Sequence, residues 1–210
     1  MMKVLVVGAG GVGGYLGARM IEKGQQGAFL LRPKTASVVK ETGISLRSPL
    51  GDWAGSVEIA DQKSGPFDLV ILSCKAFDLD AAILDIRPFL GTDTCILPLL
   101  NGFQHIERLL AAFPETHVLG GVAHLGAPPV GPGRIVPLNL FASFLAGPLR
   151  EGEHVPTALR TLFTATDSPE IKMRIVEDAS AQMWTKLVFL ATLAAPTCNH
   201  NADIGSILVQ

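Results

Sequence analysis

The chain has 210 residues, of which 48% are hydrophobic and 17% are charged. This length and composition are typical of one large globular domain, or of one complete domain and part of a second. The net charge of −2 provides no basic field that would favour nucleic acid or an anionic membrane surface as a partner.

Cysteine usage and the length of the apolar runs exclude further classes. Cys74, Cys95 and Cys198 are far apart and form no C-x-x-C pair, which argues against a metal site or a disulfide framework and favours a reducing compartment. No apolar stretch approaches the roughly 20 residues that a transmembrane helix requires. We therefore expect a cytoplasmic protein that holds no metal and does not enter a membrane.

Aliphatic runs alternate with amphipathic segments along most of the chain. The first run, residues 4–7, is continuous, as expected for a strand buried on both faces of a parallel sheet. The predicted strands are residues 4–7, 28–31, 44–46, 57–59, 68–73, 95–100 and 118–123, with strand pairs over residues 134–145. The predicted helices among them are residues 15–23, 35–42, 79–89 and a segment that ends near Phe113.

This alternation predicts an α/β fold, a Rossmann-type doubly wound sheet over residues 1–166. Residues 44–46 and 57–59 flank a turn-rich segment around Gly51 and predict an inserted β-ribbon. From about Pro169 the pattern becomes helical, so residues 167–210 are predicted to begin an all-helical C-terminal domain.

The first strand runs directly into a glycine loop, Gly8-Ala9-Gly10-Gly11-Val12-Gly13. Gly8 would allow a tight exit from the strand, Gly10 would let a pyrophosphate approach the backbone, and Gly13 would let the next helix pack closely. The N-terminus of that helix would offer N–H groups to the phosphates. A G-x-G-x-x-G motif alone is weak evidence for a cofactor site. Here the preceding strand and the following helix favour a dinucleotide site over an unliganded turn.

The end of the second strand indicates which dinucleotide is bound. NAD-binding proteins usually place an acidic residue there, whereas this chain has Arg32 and Lys34 and no Asp or Glu between Lys23 and Lys40. A guanidinium group suits a 2′-phosphate, although a solvated loop arginine is the alternative. We therefore predict NADP (NADPH) as the cofactor.

Polar residues also follow two later strands, and ligands of open parallel sheets bind at these strand ends. Lys75 could reach the cofactor or substrate, or could be an exposed loop lysine. Asn101 could face the same cleft, or could shape a turn with Gly102. His124 follows another strand and receives no role, while His105 and Glu107 are predicted to lie on the solvated face of their helix.

Four further motifs occur in order along the chain. They are Ser73-Cys74-Lys75-Ala76-Phe77, Leu100-Asn101-Gly102, Gly131-Pro132-Gly133-Arg134-Ile135 and Met183-Trp184-Thr185-Lys186-Leu187. With the glycine loop and Arg32, these motifs resemble the ketopantoate reductase family (2-dehydropantoate 2-reductase) over the whole chain. The Trp-x-Lys-Leu motif is the most specific of them.

The resemblance implies that NADPH reduces a 2-keto acid, 2-dehydropantoate or a related small molecule, as in pantothenate biosynthesis. Lys186 would be the catalytic lysine, because an ammonium group can stabilise the negative charge on the carbonyl oxygen and donate the proton. Lys75 and Asn101 would bind cofactor and substrate. The helical segment would belong to a domain for substrate binding and dimerisation, so a homodimer is the expected assembly. The alternative for Lys186 is a surface lysine beside a buried Trp184.

Two features depart from the family pattern. The family usually carries asparagines four and eight residues after the lysine, where this chain has Leu190 and Ala194. Since these cannot make the same hydrogen bonds, a more apolar keto acid is expected. The family's substrate-binding serine and acidic residue are expected beyond Gln210.

The apolar face formed by Leu187, Leu190, Leu193 and Ile207 should therefore be covered by further chain or by another subunit. Two other functions remain open. One is a non-catalytic NADP-binding module or an inactive truncated reductase, and the other is a β-hydroxyacid or sugar dehydrogenase of the same superfamily.

Overall fold

The computed structural model describes residues 2–128 and 130–208. Its strands are β1 (Lys3–Val7), β2 (Gln26–Leu30), β3 (Ile44–Leu46), β4 (Trp53–Gly55), β5 (Glu58–Ile59), β6 (Phe67–Leu72), β7 (Leu90–Pro98), β8 (His117–Val118), β9 (Gly120–His124), β10 (Arg134–Ile135), β11 (Ser143–Gly147) and β12 (Lys172–Ile175). Its helices are α1 (Gly11–Glu22), α2 (Pro33–Thr42), α3 (Leu79–Ile86), α4 (Gln104–Ala112), α5 (Thr157–Thr166), α6 (Ala179–His200) and α7 (Ile204–Leu208).

A six-stranded parallel sheet in the order β5-β2-β1-β6-β7-β8 forms the centre of the molecule. Side chains alternate between its two faces, so Val4 and Val6 enter one hydrophobic cluster and Leu5 enters the other. All three are completely buried. The continuous aliphatic run thus reflects a strand covered on both faces, and the predicted doubly wound α/β fold is confirmed.

The strand pairing differs from the prediction, because several of the predicted strands belong to two small three-stranded sheets. The ribbon forms between β3 and β4, while β5 instead joins the large sheet beside β2. The predicted strand 118–123 is divided between β8, at the edge of the large sheet, and β9. The predicted pairs over residues 134–145 are likewise separate, because β10 pairs with β3 and β11 pairs with β9 and β12.

The change to helical structure comes later than predicted. Strand β12 pairs in parallel with β11, so the helical part starts at Ala179 rather than near Pro169. Asp178 caps α6 by accepting a hydrogen bond from the backbone N–H of Ala181 at 3.0 Å. The domain boundary between residues 166 and 167 stays a prediction.

Among the residues that the structure describes, the buried residues of α6 lie at its start. Ala179 and Met183 are its buried residues, and they pack so closely on Gly120 that a Cβ there would lie 2.6 Å from the Cβ of Ala179. The following turns expose large apolar side chains, Trp184, Val188, Phe189 and Leu193. The homodimer expected through this segment stays a prediction.

Candidate functional site

The glycine loop connects β1 to the N-terminus of α1. Gly8 has a φ of +93°, a backbone conformation that favours glycine, and its N–H donates to the carbonyl oxygen of Leu30 at 3.0 Å. Helix α1 starts at Gly11 with Gly10 as its N-cap, earlier than the predicted start at Tyr15. The first helical N–H groups, which lack partners within the helix, therefore lie directly at the loop.

Three glycines of the loop have different surroundings. A Cβ at Gly13 would overlap the Oγ of Ser73 and lie 2.6 Å from the carbonyl oxygen of Gly8. A Cβ at Gly11 would overlap the carbonyl group of Ala127, so the segment after β9 lies against the start of α1. A Cβ at Gly10 would meet nothing within 4 Å. The backbone at Gly10 is thus the part of the loop that is open to a ligand.

A cavity of about 810 Å³ lies at the carboxyl ends of β1, β2 and β6, a size that suits a small-molecule ligand. The predicted site residues that line it are Gly8, Ala9, Gly10, Arg32 and Lys75. Ser73 and Cys74, which follow β6 directly, line it too, as does Asp78 just before α3. The place of Ser73 and Cys74 at a strand end was the available sequence signal, but the sequence alone gave none of the three a role.

Arg32 lies two residues beyond the end of β2 and is the N-cap of α2. Its guanidinium group forms an ion pair with the carboxylate of Asp78, which precedes α3. The Arg32 side chain is 68% exposed and that of Asp78 is 25% exposed. The cavity therefore carries a cation near its opening that is already paired with an acidic group.

Lys186 lies on the second turn of α6, and its half-buried side chain faces β9. Its Nζ donates a hydrogen bond to the carbonyl oxygen of Ala123 at 2.6 Å. Burial lowers the pKa of Lys186 from its ordinary value. Burial also lowers the pKa of the neighbouring His124, and the positive charge of Lys186 contributes to that shift.

Asn101 is joined to the helix of Lys186 through an aromatic stack. The rings of Phe103 and Trp184 have centroids 5.3 Å apart and planes 21° apart. Phe103 follows Asn101 by two positions, and Trp184 precedes Lys186 by two. Trp184 is 53% exposed rather than buried, so its ring holds α6 against this loop without entering the core.

The predicted site residues fall into two groups in space. Asn101 and Lys186 are not among the residues that line the 810 Å³ cavity, and neither are Gly11, Val12 and Gly13. The chain from Ala123, in β9, to Ala127 links the two groups, since Ala123 accepts from Lys186 and Ala127 lies against Gly11.

The prediction that His105 lies on a solvated helix face is wrong. His105 is 4% exposed, and its Nε2 has no hydrogen-bond partner among the residues that the structure describes. Burial lowers its pKa to about 4. Glu107, two residues after His105 on α4, is exposed as predicted.

Residues 2–128 and 130–208 contain neither a metal site nor a membrane-spanning helix. No group of His, Cys, Asp and Glu side chains in these ranges could hold a metal ion. No helix in these ranges is long and apolar enough to cross a membrane.

The parallel sheet, the glycine turn before α1 and the cavity at the strand ends define the Rossmann class of dinucleotide-binding folds. A family model described as Ketopantoate reductase PanE/ApbA matches residues 4–150. The chain belongs to this family of oxidoreductases.

Individual relatives agree with this placement. The uncharacterized oxidoreductase YkpB of Bacillus subtilis is 36% identical over 99% of this chain and 68% of its own length. A 2-dehydropantoate 2-reductase of Aquifex aeolicus is 28% identical over 64% of this chain and 43% of its own length. The crystal structure of 2-dehydropantoate 2-reductase from Porphyromonas gingivalis W83 superposes with a TM-score of 0.88 at 25% identity, covering all of this chain and 76% of that one.

Proposed function

We propose that the chain binds NADPH at the glycine loop and reduces a 2-keto acid to the 2-hydroxy acid, with Lys186 as the proton donor. The observation that carries this proposal is the half-buried ammonium group of Lys186, hydrogen-bonded to the carbonyl oxygen of Ala123 at 2.6 Å. Membership of the ketopantoate reductase family supports the reaction class.

The residues around the cavity fit the phosphates of a dinucleotide. Open space above Gly10 would let a pyrophosphate approach the loop from Gly8 to Gly13, where the N-terminus of α1 offers N–H groups and partial positive charge. When bound, NADPH supplies the hydride for the ketone carbon. Lys75, exposed at the cavity wall, and Asn101, on the loop beside α6, would orient the reacting groups.

Arg32 is the proposed reason for a preference for NADPH. Its guanidinium group is exposed and can form two charge-assisted hydrogen bonds with a 2′-phosphate. Titration should show tighter binding of NADPH than of NADH, and Arg32→Ala should remove most of the difference. Arg47→Ala is the matched control, because Arg47 is an exposed arginine paired with Asp52 elsewhere on the surface. Equal affinities in the unaltered protein would contradict the assignment.

The proposed role of Lys186 follows from charge. Hydride addition leaves a negative charge on the substrate oxygen, and an ammonium group hydrogen-bonded to that oxygen stabilises the charge. Burial lowers the pKa of Lys186, which makes its proton easier to transfer. The hydrogen bond to the carbonyl oxygen of Ala123 fixes the position of the ammonium group.

The proposed substrate is a keto acid with a more apolar chain than 2-dehydropantoate. Leu190 and Ala194 follow Lys186 by one and two turns of α6 and share its side of the helix. Neither side chain can pair with a polar substrate group. A site without such pairing groups discriminates in favour of apolar substituents.

The decisive experiment follows NADPH oxidation with a panel of 2-keto acids that differ in chain polarity. Turnover that is lost in Lys186→Ala and retained in Lys172→Ala would support the proposal, because Lys172 is exposed on β12. NADPH binding without turnover of any acid would favour a non-catalytic binding module instead.

A further inference from the structure

We propose that Asp78 is a second cofactor-specificity residue, whose carboxylate weakens the selection for a 2′-phosphate and lets NADH bind as well. The inference rests on the proposed assignment of the glycine loop and its cavity as the cofactor site. It adds to that assignment a residue that opposes Arg32.

The first observation is the ion pair between the two side chains. Arg32 and Asp78 both line the cavity, and the carboxylate of Asp78 is the more buried partner. A 2′-phosphate that binds Arg32 must displace this carboxylate or come close to it. Because like charges repel at such distances, either outcome reduces the net attraction of Arg32 for the phosphate.

The second observation is that the carboxylate of Asp78 accepts no hydrogen bond from its own helix, α3. Asp78 occupies the N-cap position of α3, where an aspartate side chain normally accepts a hydrogen bond from the helix, but it makes no such bond. Asp178 does make this bond at the start of α6. The carboxylate of Asp78 is therefore oriented toward Arg32 and the cavity rather than toward its own helix.

The third observation concerns the two other carboxylates that line the cavity, those of Asp61 and Asp85. Asp61 accepts a hydrogen bond from the backbone N–H of Lys63 at 2.8 Å and holds its own turn. Asp85 is exposed on α3. Within the described part of the chain, Asp78 is the acidic partner of Arg32.

NADH presents a ribose hydroxyl group where NADPH presents a phosphate. A carboxylate at this point of the fold can accept a hydrogen bond from that hydroxyl, as acidic residues do in NAD-binding proteins. Arg32 would thus recognise one cofactor and Asp78 the other. The pair gives the site a smaller preference for NADPH than an unpaired arginine would give.

The test compares the affinities of NADPH and NADH, measured by the change in nicotinamide fluorescence on binding, in the unaltered protein and in Asp78→Asn. We expect the affinity ratio to shift toward NADPH by about fivefold or more, through tighter NADPH binding and weaker NADH binding. Because Asp78 makes no capping hydrogen bond that the change could remove, the variant should remain folded. Asp80→Asn is the matched control, because Asp80 pairs with Arg108 on α4, and it should leave the ratio unchanged.

A competition experiment on the unaltered protein provides a second test that needs no variant. Adenosine 2′,5′-bisphosphate and adenosine 5′-monophosphate differ at the 2′ position, and we expect their affinities to differ by less than about tenfold. A difference above about tenfold, or an unchanged ratio in Asp78→Asn, would overturn the role of Asp78 alone. A protein that binds neither nicotinamide cofactor would overturn the proposed function as well.

Discussion

The hydroxyl group of Ser73 fills the space that a side chain at Gly13 would need. Ser73 Oγ donates to the carbonyl oxygen of Val7 at 2.8 Å and is therefore fixed to β1. A Cβ at position 13 would overlap this oxygen and lie 2.6 Å from the carbonyl oxygen of Gly8. The junction of β1, β6 and α1 thus depends on the absence of a side chain at one helical position.

Replacing Gly13 with alanine should damage both the fold and the cofactor site. Because the backbone of Gly8 and the fixed Ser73 hydroxyl leave no room, α1 must shift away from the sheet, and we expect a loss of about 1–3 kcal/mol in the free energy of unfolding. Urea denaturation measures this loss. Adding Ser73→Ala should restore only part of it, since the contact with the Gly8 carbonyl oxygen remains. Unchanged stability in Gly13→Ala would contradict the packing described above.

Replacing Gly10 with alanine should weaken cofactor binding while leaving the stability of the fold nearly unchanged. Its φ of −79° is ordinary for alanine, and a Cβ there meets nothing within 4 Å, so we expect a change in unfolding free energy of less than about 1 kcal/mol. The same methyl group would occupy the space through which a pyrophosphate approaches the loop. NADPH affinity should therefore fall by at least about tenfold in a fluorescence titration. Unchanged affinity would place the phosphates elsewhere.

The proposed proton donor predicts an alkaline limit on turnover. Burial penalises the charged form of Lys186 and lowers its pKa, so the ammonium group loses its proton at a lower pH than the usual value of about 10.4. The maximal rate with a keto acid should fall as pH rises through this lowered pKa. Lys186→Ala should reduce the rate by roughly 10²–10⁴-fold and abolish that alkaline decline. A variant that keeps the same pH profile would exclude Lys186 as the donor.

The sequence predicted those parts of the fold whose pattern is local. The aliphatic run of β1 is continuous because β2 and β6 flank it and helices cover both faces, and the glycine loop follows from the backbone demands at Gly8 and Gly13. Pairing partners were not predictable in this way. Alternation shows that residues 58 and 59 are extended, but not that they join β2 rather than β3.

The sequence suggested individual candidate residues but not their arrangement, and it suggested no role for Asp78. Arg32 could be found because it follows a strand, yet its ion pair with Asp78 joins segments that are distant in sequence. The hydrogen bond from Lys186 to Ala123 spans 63 residues. Only the tertiary structure brings such partners together, so the ion pairs and pKa shifts that they produce cannot be predicted from spacing in the sequence.

His105 gives a final prediction, on stability rather than on binding. Burial lowers its pKa in the folded protein to about 4, whereas the unfolded chain takes up a proton near the ordinary value of about 6.5. As pH falls from about 6.5 to about 4, the unfolded state gains the proton first, so the folded state should lose up to about 3 kcal/mol. His105→Leu should lose less stability than the unaltered protein between pH 7 and pH 4.5 in urea denaturation. His154→Gln, at an exposed position, should behave like the unaltered protein; equal losses in all three proteins would show that His105 is protonated normally in the folded state.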